Sequence, residues 1–495
     1  MRYLGIGEYN DLGALYLGLA TQGHEVRVFV EHEASRDVYG GMLDFTADWQ
    51  AELGWLRGSG DAADAGIVLF ESAVKGETQD ALRRDGFQVI GGSVLGDRLE
   101  ADREFGQEVL RGFGLRTAAT HGFTGYEGAI DFLRREGGRY VLKFNGADSP
   151  RTRNYIGEMS DAADMLALLE MYRSHHAASQ PPDFVLMRHV QGVEVGVGAY
   201  FNGEAFLTPA CIDFEHKRFF PGELGELTGE MGTIVSYRDW QKLFAASLGK
   251  VAPLLRDGGY CGYINLNMIV NDEGLWPLEF TSRFGYPGFA ICEALHEEGW
   301  DSIFRRMLSR DSLQIATKPG FAAGVVLTVP PFPYSQGYEE LSKGEPICFH
   351  PGMTAADRAA LHFAEVARLG DHLVTSGSCG YVGVATGIGA SVQAASDAAY
   401  RVARKVVVPN LRYRTDIGER VRRHDLARLG DHLVTSGTCG YVGVATGIGA
   451  SVQDSSDAAY RVARKVVVPN LRYRTDIGER VHRHDLARLA ALGWL

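Results

Sequence analysis

Three features that would narrow a function at once are missing from this chain: cysteines at metal or redox spacing, a long basic block, and an apolar run able to cross a membrane. The six cysteines, at 211, 261, 292, 348, 379 and 439, form no C-x-x-C pair and have no histidine partner at zinc spacing. That excludes the common zinc and dithiol motifs and leaves small buried hydrophobes as their default role. With a formal net charge of −12 and no Lys/Arg block, the chain is a poor candidate for holding nucleic acid by phosphate neutralisation. No run of 18 apolar residues occurs, and "MRYLGIGEYNDLG" enters a strand directly with no charged-then-apolar leader. The expectation is a cytoplasmic protein with neither a nucleic-acid nor a membrane partner. Only "GIG" (5–7) stands where a dinucleotide fold needs a full G-x-G-x-x-G, which disfavours a dehydrogenase.

What is present is an ordinary globular composition, 45% apolar and 23% charged, over 495 residues, enough for about three domains. The first 30 residues read strand, Gly-rich turn, helix, strand, and a second such unit follows with "AGIVLFES" (65–72), a helix over 75–86 and "FQVIGG" (87–92). Strands alternating with helices predict a small open parallel sheet of α/β type. From about 98 the pattern changes to a helix over 98–114, a strand carrying Lys143, a helix over 160–177, a strand broken at Gly192 and a long loop over 212–232. Strands with few helices between them predict antiparallel sheet, so this middle part reads as α+β. Near the end, residues 367–426 recur at 427–486 with an offset of 60 and four changes: Ser378 to Thr438, Ala394 to Asp454, Ala395 to Ser455 and Arg422 to His482. Solenoids need more copies and drift further. Two near-identical copies read as a recent tandem duplication of one structural piece or as an artefact of the sequence, and the repeated flanks allow either copy to dock by looping out its neighbour.

The stretch "WPLEFTSRFGYPGF" (276–289) places a carboxylate, Glu279, in an apolar run. "YINLNMIV" (263–270), the turn "NDEG" and "LWPLEF" (275–280) predict a hairpin, with Glu279, Thr281 and Arg283 on one face and Asn265 and Asn267 on one face of the partner strand. A buried Glu must be paired or bind a metal. Mg²⁺ between oxygen ligands on the two strands, with Arg283 reaching a phosphate, is one solution; a structural Glu279–Arg283 ion pair is the other.

The order of "ESAVKG" (71–76), "VIGGSVLGDRLEADREFGQEVLRGFGLRTA" (89–118), "VLKFNG" (141–146), "VQGVEV" (190–195), "EHKR" (215–218), "LTGEMG" (227–232), "LEFTSRFGYPG" (278–288) and "VTSGSCGYVGVATGIGAS" resembles the glycinamide ribonucleotide synthetase family of the ATP-grasp superfamily. The resemblance implies a small Rossmann-like N-terminal domain (1–97), an ATP-grasp core (98–310), a small β-rich C-terminal subdomain (311–426) and the tandem duplicate with its tail (427–495). It implies ATP between two sheets, with Lys143 and Arg103 facing phosphates, Met187 and Arg188 at the adenine hinge, and Glu194 receiving the ribose. Glu279, Thr281 and Asn267 would hold Mg²⁺ or Mn²⁺. Arg283 would meet the transferring phosphate, Lys217, at the start of a substrate-side loop (217–232), would be the second catalytic residue, and Gly7, Lys75, Gly76, Gly229 and Arg283 would meet the substrates. The implied reaction joins glycine to 5-phosphoribosylamine through an acyl phosphate, in a monomer or homodimer whose partners are small molecules.

Departures from the family pattern fall at the chemistry. "ADSPRTRNYIG" (147–157) replaces a Gly-rich phosphate loop, with Arg151 or Arg153 as substitute cations; Thr281 stands for a metal-binding Asn; Tyr286 and Gly288 stand for two acids. Three readings therefore remain: the family's own reaction, a related ligase with another carboxylate and amine, or a non-catalytic nucleotide binder.

Overall fold

The computed structural model describes residues 1–58, 66–144, 154–175, 183–237, 241–271, 273–422 and 451–465, together with Thr475. Arg151, Arg153 and most of the second repeat copy lie outside the described residues. The chain divides into two compact units.

The first unit comprises 1–118, 190–217 and 230–422. It opens with the expected parallel sheet, five strands in the order Asp44–Phe45, Glu25–Val30, Arg2–Gly7, Ile67–Phe70, Gln88–Ile90. Its central strand buries both faces, Leu4 and Ile6 among Val68, Phe70 and Val89 in one cluster and Tyr3 with Leu15, Leu19 and Val28 in another. Two-sided burial is what a crossover-connected parallel strand requires, each large apolar side chain contributing about 1.5–3 kcal/mol.

The same unit holds an eight-stranded sheet in the order Gly274–Thr281, Cys261–Asn271, Val193–Asn202, Cys211–Glu215, Gly232–Ser236, Phe321–Thr328, Tyr381–Gly389, Leu361–Phe363. Every pairing in it is antiparallel. Strands beyond residue 311 thus continue the sheet that carries Glu279. Two sequence expectations change here. The single helix over 98–114 is two, Val94–Ala101 and Arg103–Gly112, because Asp102 adopts an extended conformation and its side chain accepts the Phe105 amide at 3.0 Å, capping the second. The long loop over 212–232 contains four short strands, Cys211–Glu215, Arg218–Phe220, Leu224–Leu227 and Gly232–Ser236. Its Gly and charge content hid their alternation.

The first repeat copy is built into this unit. Its strand Tyr381–Gly389 pairs with Phe321–Thr328, and its helix Val392–Ala403, capped by Ser391, packs on both. Gly387 permits this approach, since a Cβ there would stand 2.2 Å from the Ala399 amide nitrogen. The equivalent helix of the second copy, Val452–Ala463, buries no residue. Val402 is 2% exposed whereas Val462, its counterpart, is 49% exposed. The divergence between copies agrees: Ala395, fully buried, has become Ser455, which in that slot would bury a hydroxyl at a cost of about 1–3 kcal/mol. The first copy therefore holds the slot, and deletion of 427–486 is expected to leave the unfolding midpoint and the turnover rate unchanged; a drop in either would give the duplicate a structural role.

The second unit comprises 119–189, 218–229 and 423–495. Its antiparallel sheet runs Thr120–Thr124, Asp183–Arg188, Tyr140–Phe144, Tyr155–Ile156. Helices Tyr126–Glu136 and Ala163–His175 contribute Ile130, Leu133 and Leu169 to a core that includes Leu142, Phe184 and Leu186. Among the described residues no helix is long and apolar enough to cross a membrane.

Candidate active site

Alternation along the strands of the first unit's large sheet sorts its side chains into two faces. Val195, Val197, Ile212, Leu266, Met268 and Phe280 fill a hydrophobic core on one face. Cross-strand partners share a face, and the register pairs Asn267 with Glu279, Asn265 with Thr281, Glu194 with Ile269, and Gly196 with both Asn267 and Asp213. The opposite face therefore carries Glu194, Asp213, Glu215, Asn265, Asn267, Glu279 and Thr281. Gly196 has no side chain because Asp213 needs its space: a Cβ would stand 2.2 Å from Asp213 Oδ1.

Lys217 bridges this face. Its Nζ lies 2.7 Å from Glu194 Oε1 and 3.1 Å from Glu215 Oε2. Asn267 Nδ2 donates to Glu215 Oε2 at 3.4 Å and Asn265 Nδ2 to Asp213 Oδ2 at 2.7 Å. Burial disfavours the Lys217 ammonium, but Glu194, Glu215 and Glu279 together outweigh it and raise its pKa well above the usual value. Burial likewise raises Glu194, and Lys217 reverses this, so its carboxylate titrates below the ordinary range. Asp213 is pushed well up by burial and then by Glu215, against the opposing hydrogen bond from Asn265. Glu230 rises to about 8 from burial and Glu215.

Glu279 and Arg283 do not form the ion pair that was one sequence reading. Arg283 Nε reaches Glu100 Oε1 at 3.0 Å, and Glu100 Oε2 accepts the Ser282 amide at 2.8 Å. Glu279 Oε2 lies 4.0 Å from Nη2 of Arg103, the first residue of its helix. Glu194, Lys217, Asn267, Glu279, Thr281, Arg103 and Arg283 all belong to the first unit. Lys143, Met187, Arg188 and Gly229 belong to the second. There Lys143 pairs with Val185 and Val141 with Met187, so Lys143 and Met187 share a face, while Arg188 pairs with Tyr140 on the other. Gly229 is an exposed bend.

The sequence placed substrate contacts at Gly7, Lys75 and Gly76. Lys75 Nζ pairs with Glu31 at 2.7 Å, and the Gly76 amide donates to Asp97 Oδ2 at 2.6 Å. A Cβ on Gly7 would stand 2.1 Å from Glu71 Oε2, the same oxygen that accepts the Asp11 amide at 2.8 Å just before helix Gly13–Thr21. Glu71 is 3% exposed, and its burial, then Asp11, raises its pKa to about 8. An acid whose folded pKa is raised is fully stabilising below its unfolded value, near 4.5, and that contribution is lost as pH rises through about 8. Glu71→Gln is therefore expected to flatten the fall of the unfolding midpoint between acid and mildly alkaline pH, a difference on the order of 3 kcal/mol at the alkaline end. Parallel wild-type and variant profiles would contradict this.

The oxygen donors suit a hard divalent cation: the Glu279 carboxylate and the Asn267 side chain oppose each other across the hairpin, with Glu215 beside Asn267 and Thr281 one pair further on. Among the described residues no group of three His, Cys, Asp or Glu side chains forms a metal cage. Asp213, Glu215 and Glu230 were missed as site residues in the sequence; the period-two spacing of Asp213 and Glu215 in "CIDFE" was the available signal.

The first unit thus carries an eight-stranded antiparallel sheet with one acidic face, and the second a small antiparallel sheet with two helices. Residues 101–289 match the profile of the family described as phosphoribosylglycinamide synthetase, ATP-grasp (A) domain. It is 26% identical over 393 residues to a phosphoribosylamine–glycine ligase of Listeria monocytogenes serotype 4b, covering 76% of this chain and 86% of the relative. It is 26% identical over 420 residues to one of Streptococcus pyogenes serotype M1, covering 82% and 91%. Among solved structures, its fold is similar to phosphoribosylamine–glycine ligase of Thermotoga maritima, with a TM-score of 0.63 at 21% identity over 84% of this chain and all of the other. Biotin carboxylase of Campylobacter jejuni follows at a TM-score of 0.53 and 13% identity, covering 83% of this chain and 92% of the other.

Proposed function

We propose that the chain is an ATP-dependent carboxylate–amine ligase acting on small molecules in the cytoplasm. The observation that carries this reading is the acidic sheet face, where Glu279 opposes Asn267, with Lys217 and Arg283 as its cations, inside the segment that matches the family. A carboxylate oxygen attacks the γ-phosphorus of ATP, the bond to the β-phosphate oxygen breaks, and ADP leaves. The amine nitrogen then attacks the acyl carbon, phosphate departs, and the amine's proton passes to solvent or a nearby carboxylate. Such a reaction is catalysed mostly by positioning and charge. Glu279, Asn267 and Thr281 would hold Mg²⁺, which when bound neutralises charge between β- and γ-phosphates. Arg283 meets charge on the transferring group, and Glu100 fixes its guanidinium. Lys217 keeps Glu194 ionised and pairs with Glu215, leaving Glu194 able to accept ribose hydroxyls. Lys143 and Met187, on one face of the second unit's sheet, are the candidate phosphate and adenine contacts, whereas Arg188 stands on the opposite face.

Glycine and 5-phosphoribosylamine are the pair its relatives are named for, and glycinamide ribonucleotide synthesis for purines is the first reaction to assay. The test is ADP release with ATP and Mg²⁺ over a panel of amino acids, with and without phosphoribosylamine. Hydroxylamine is added separately to trap an acyl phosphate as hydroxamate. Hydroxamate formation with one carboxylate establishes the ligase; ATP binding with no turnover for any carboxylate would leave a nucleotide-binding protein. A second reading, another amine at the same centre, is favoured by the way Glu71 fills the turn at Gly7.

A further inference from the structure

Strand Cys211–Glu215 ends at Glu215, and His216 and Lys217 then carry the chain off the acidic face. The end of the first repeat copy takes hold of the chain at this point. Its helix Val392–Ala403 fixes Ile417: Tyr400 Oη accepts the Ile417 amide at 2.7 Å, and Ser396 Oγ donates to the Ile417 carbonyl at 2.9 Å. Gly418 follows with φ +86°, and a Cβ there would stand 2.7 Å from Ser396 Oγ, so the turn needs glycine. The Gly418 amide donates to Nε2 of His216 at 3.2 Å, and the other ring nitrogen, Nδ1, lies 3.3 Å from the Gly232 carbonyl. His216 is fully buried, and an acceptor at Nε2 with an N–H at Nδ1 assigns a neutral ring with both nitrogens satisfied. Two residues beyond Gly418, Arg420 Nη2 donates to the Glu215 carbonyl at 3.0 Å.

Glu215 and His216 are thus held by the repeat copy, and Lys217 by the Glu194 and Glu215 carboxylates at 2.7 and 3.1 Å. A lysine stem is flexible, so where its ammonium rests is set by where its backbone is anchored. Displacement of this strand end by about 1 Å would carry one of the two Lys217 contacts beyond hydrogen-bond distance. Arg420 also adds its charge to the cluster: burial raises Glu194, and Lys217 followed by Arg420 brings it down.

Resting on the reading of this face as an ATP site, we infer that Arg420 is a positioning residue for nucleotide binding: through the Glu215 carbonyl it holds the strand end that places Lys217 and Glu194. The docked repeat copy is then part of the active site, not only of the sheet behind it. The inference separates two identical sequences, since Arg420 acts and Arg480, its counterpart at the offset of 60, does not.

The experiment has two arms, both on the full-length protein. In the first, a non-hydrolysable ATP analogue with Mg²⁺ is titrated into wild type, Arg420→Ala, Arg420→Lys and Arg480→Ala. In the second, amide exchange is followed by mass spectrometry in the peptides that contain His216 and Met231, whose amides bond across this strand end. Arg420→Ala is expected to weaken nucleotide binding about tenfold, as the loss of one charge-assisted hydrogen bond predicts. It should also speed exchange in those peptides about tenfold, while helix Val392–Ala403 keeps its protection. In ADP release, KM for ATP should rise more than kcat falls. Arg420→Lys keeps a donor and the charge and should recover most of both losses, and Arg480→Ala should change neither. Wild-type affinity in Arg420→Ala, equal losses in Arg480→Ala, or loss of protection in the helix along with affinity would each overturn the inference. If Arg420→Ala does not fold, Arg420→Gln, which keeps a donor without the charge, is read against the same outcomes. Absence of nucleotide binding by wild type would overturn the ATP reading instead, and the exchange arm would still accept or reject the hold on the strand end.

Discussion

Replacement of Glu279 by Gln is expected to lower ATP turnover by about 10³-fold in a protein that still folds. The substitution keeps shape and one oxygen but removes the charge that a hard cation needs beside the Asn267 side chain. The side chain is about one-third exposed and 4.0 Å from Arg103, and Glu194 and Glu215 still face Lys217 in its absence, so the fold is expected to survive the loss of its charge. The check is steady-state ADP release alongside circular dichroism. Raised Mg²⁺ should recover part of the loss if the residue is a metal ligand, and normal turnover by the folded variant would remove Glu279 from the site.

Lys217→Met should be damaging in two ways. The ammonium sits within 2.7 Å of Glu194 and 3.1 Å of Glu215, and removing it leaves two mostly buried carboxylates uncompensated. Breaking such a cluster costs roughly 2–3 kcal/mol after allowance for partial exposure. The urea midpoint should fall, and ATP affinity should fall with it because Glu194 loses its fixed position. Lys217→Arg keeps the charge and should recover most of the stability, though less of the activity, since the guanidinium is planar and larger. An unchanged midpoint in Lys217→Met would mean that the carboxylates simply take up protons and the cluster holds little energy.

Much of this was legible in the sequence, for identifiable reasons. The Glu279 hairpin was readable because strict alternation and a Gly-containing turn are local signals, and the register then puts Glu279 opposite Asn267. The parallel N-terminal sheet was readable from strand–helix alternation. Asp213 and Glu215 were not, because five residues of alternation sit at the edge of a stretch dense in glycine and charge. Glu71, Asp97 and Glu365 could not be read as partners of distant backbone amides. They reach amides 60, 21 and 13 or more residues away, and no local pattern encodes such partners. The sequence showed that two copies of the C-terminal unit were able to dock; the slot's own packing, not its motif, separates them.

The duplication bears on how the chain reaches its native state. Two segments of nearly the same sequence compete for one place against strand Phe321–Thr328, a form of frustration within a single molecule. Synthesis from the N-terminus delivers the first copy 60 residues ahead of the second, so the correct occupant has a head start on the ribosome. Refolding from denaturant removes that head start. A kinetic trap, in which the wrong helix must leave before the right one enters, would then show as a slow phase that disappears when 427–486 is deleted.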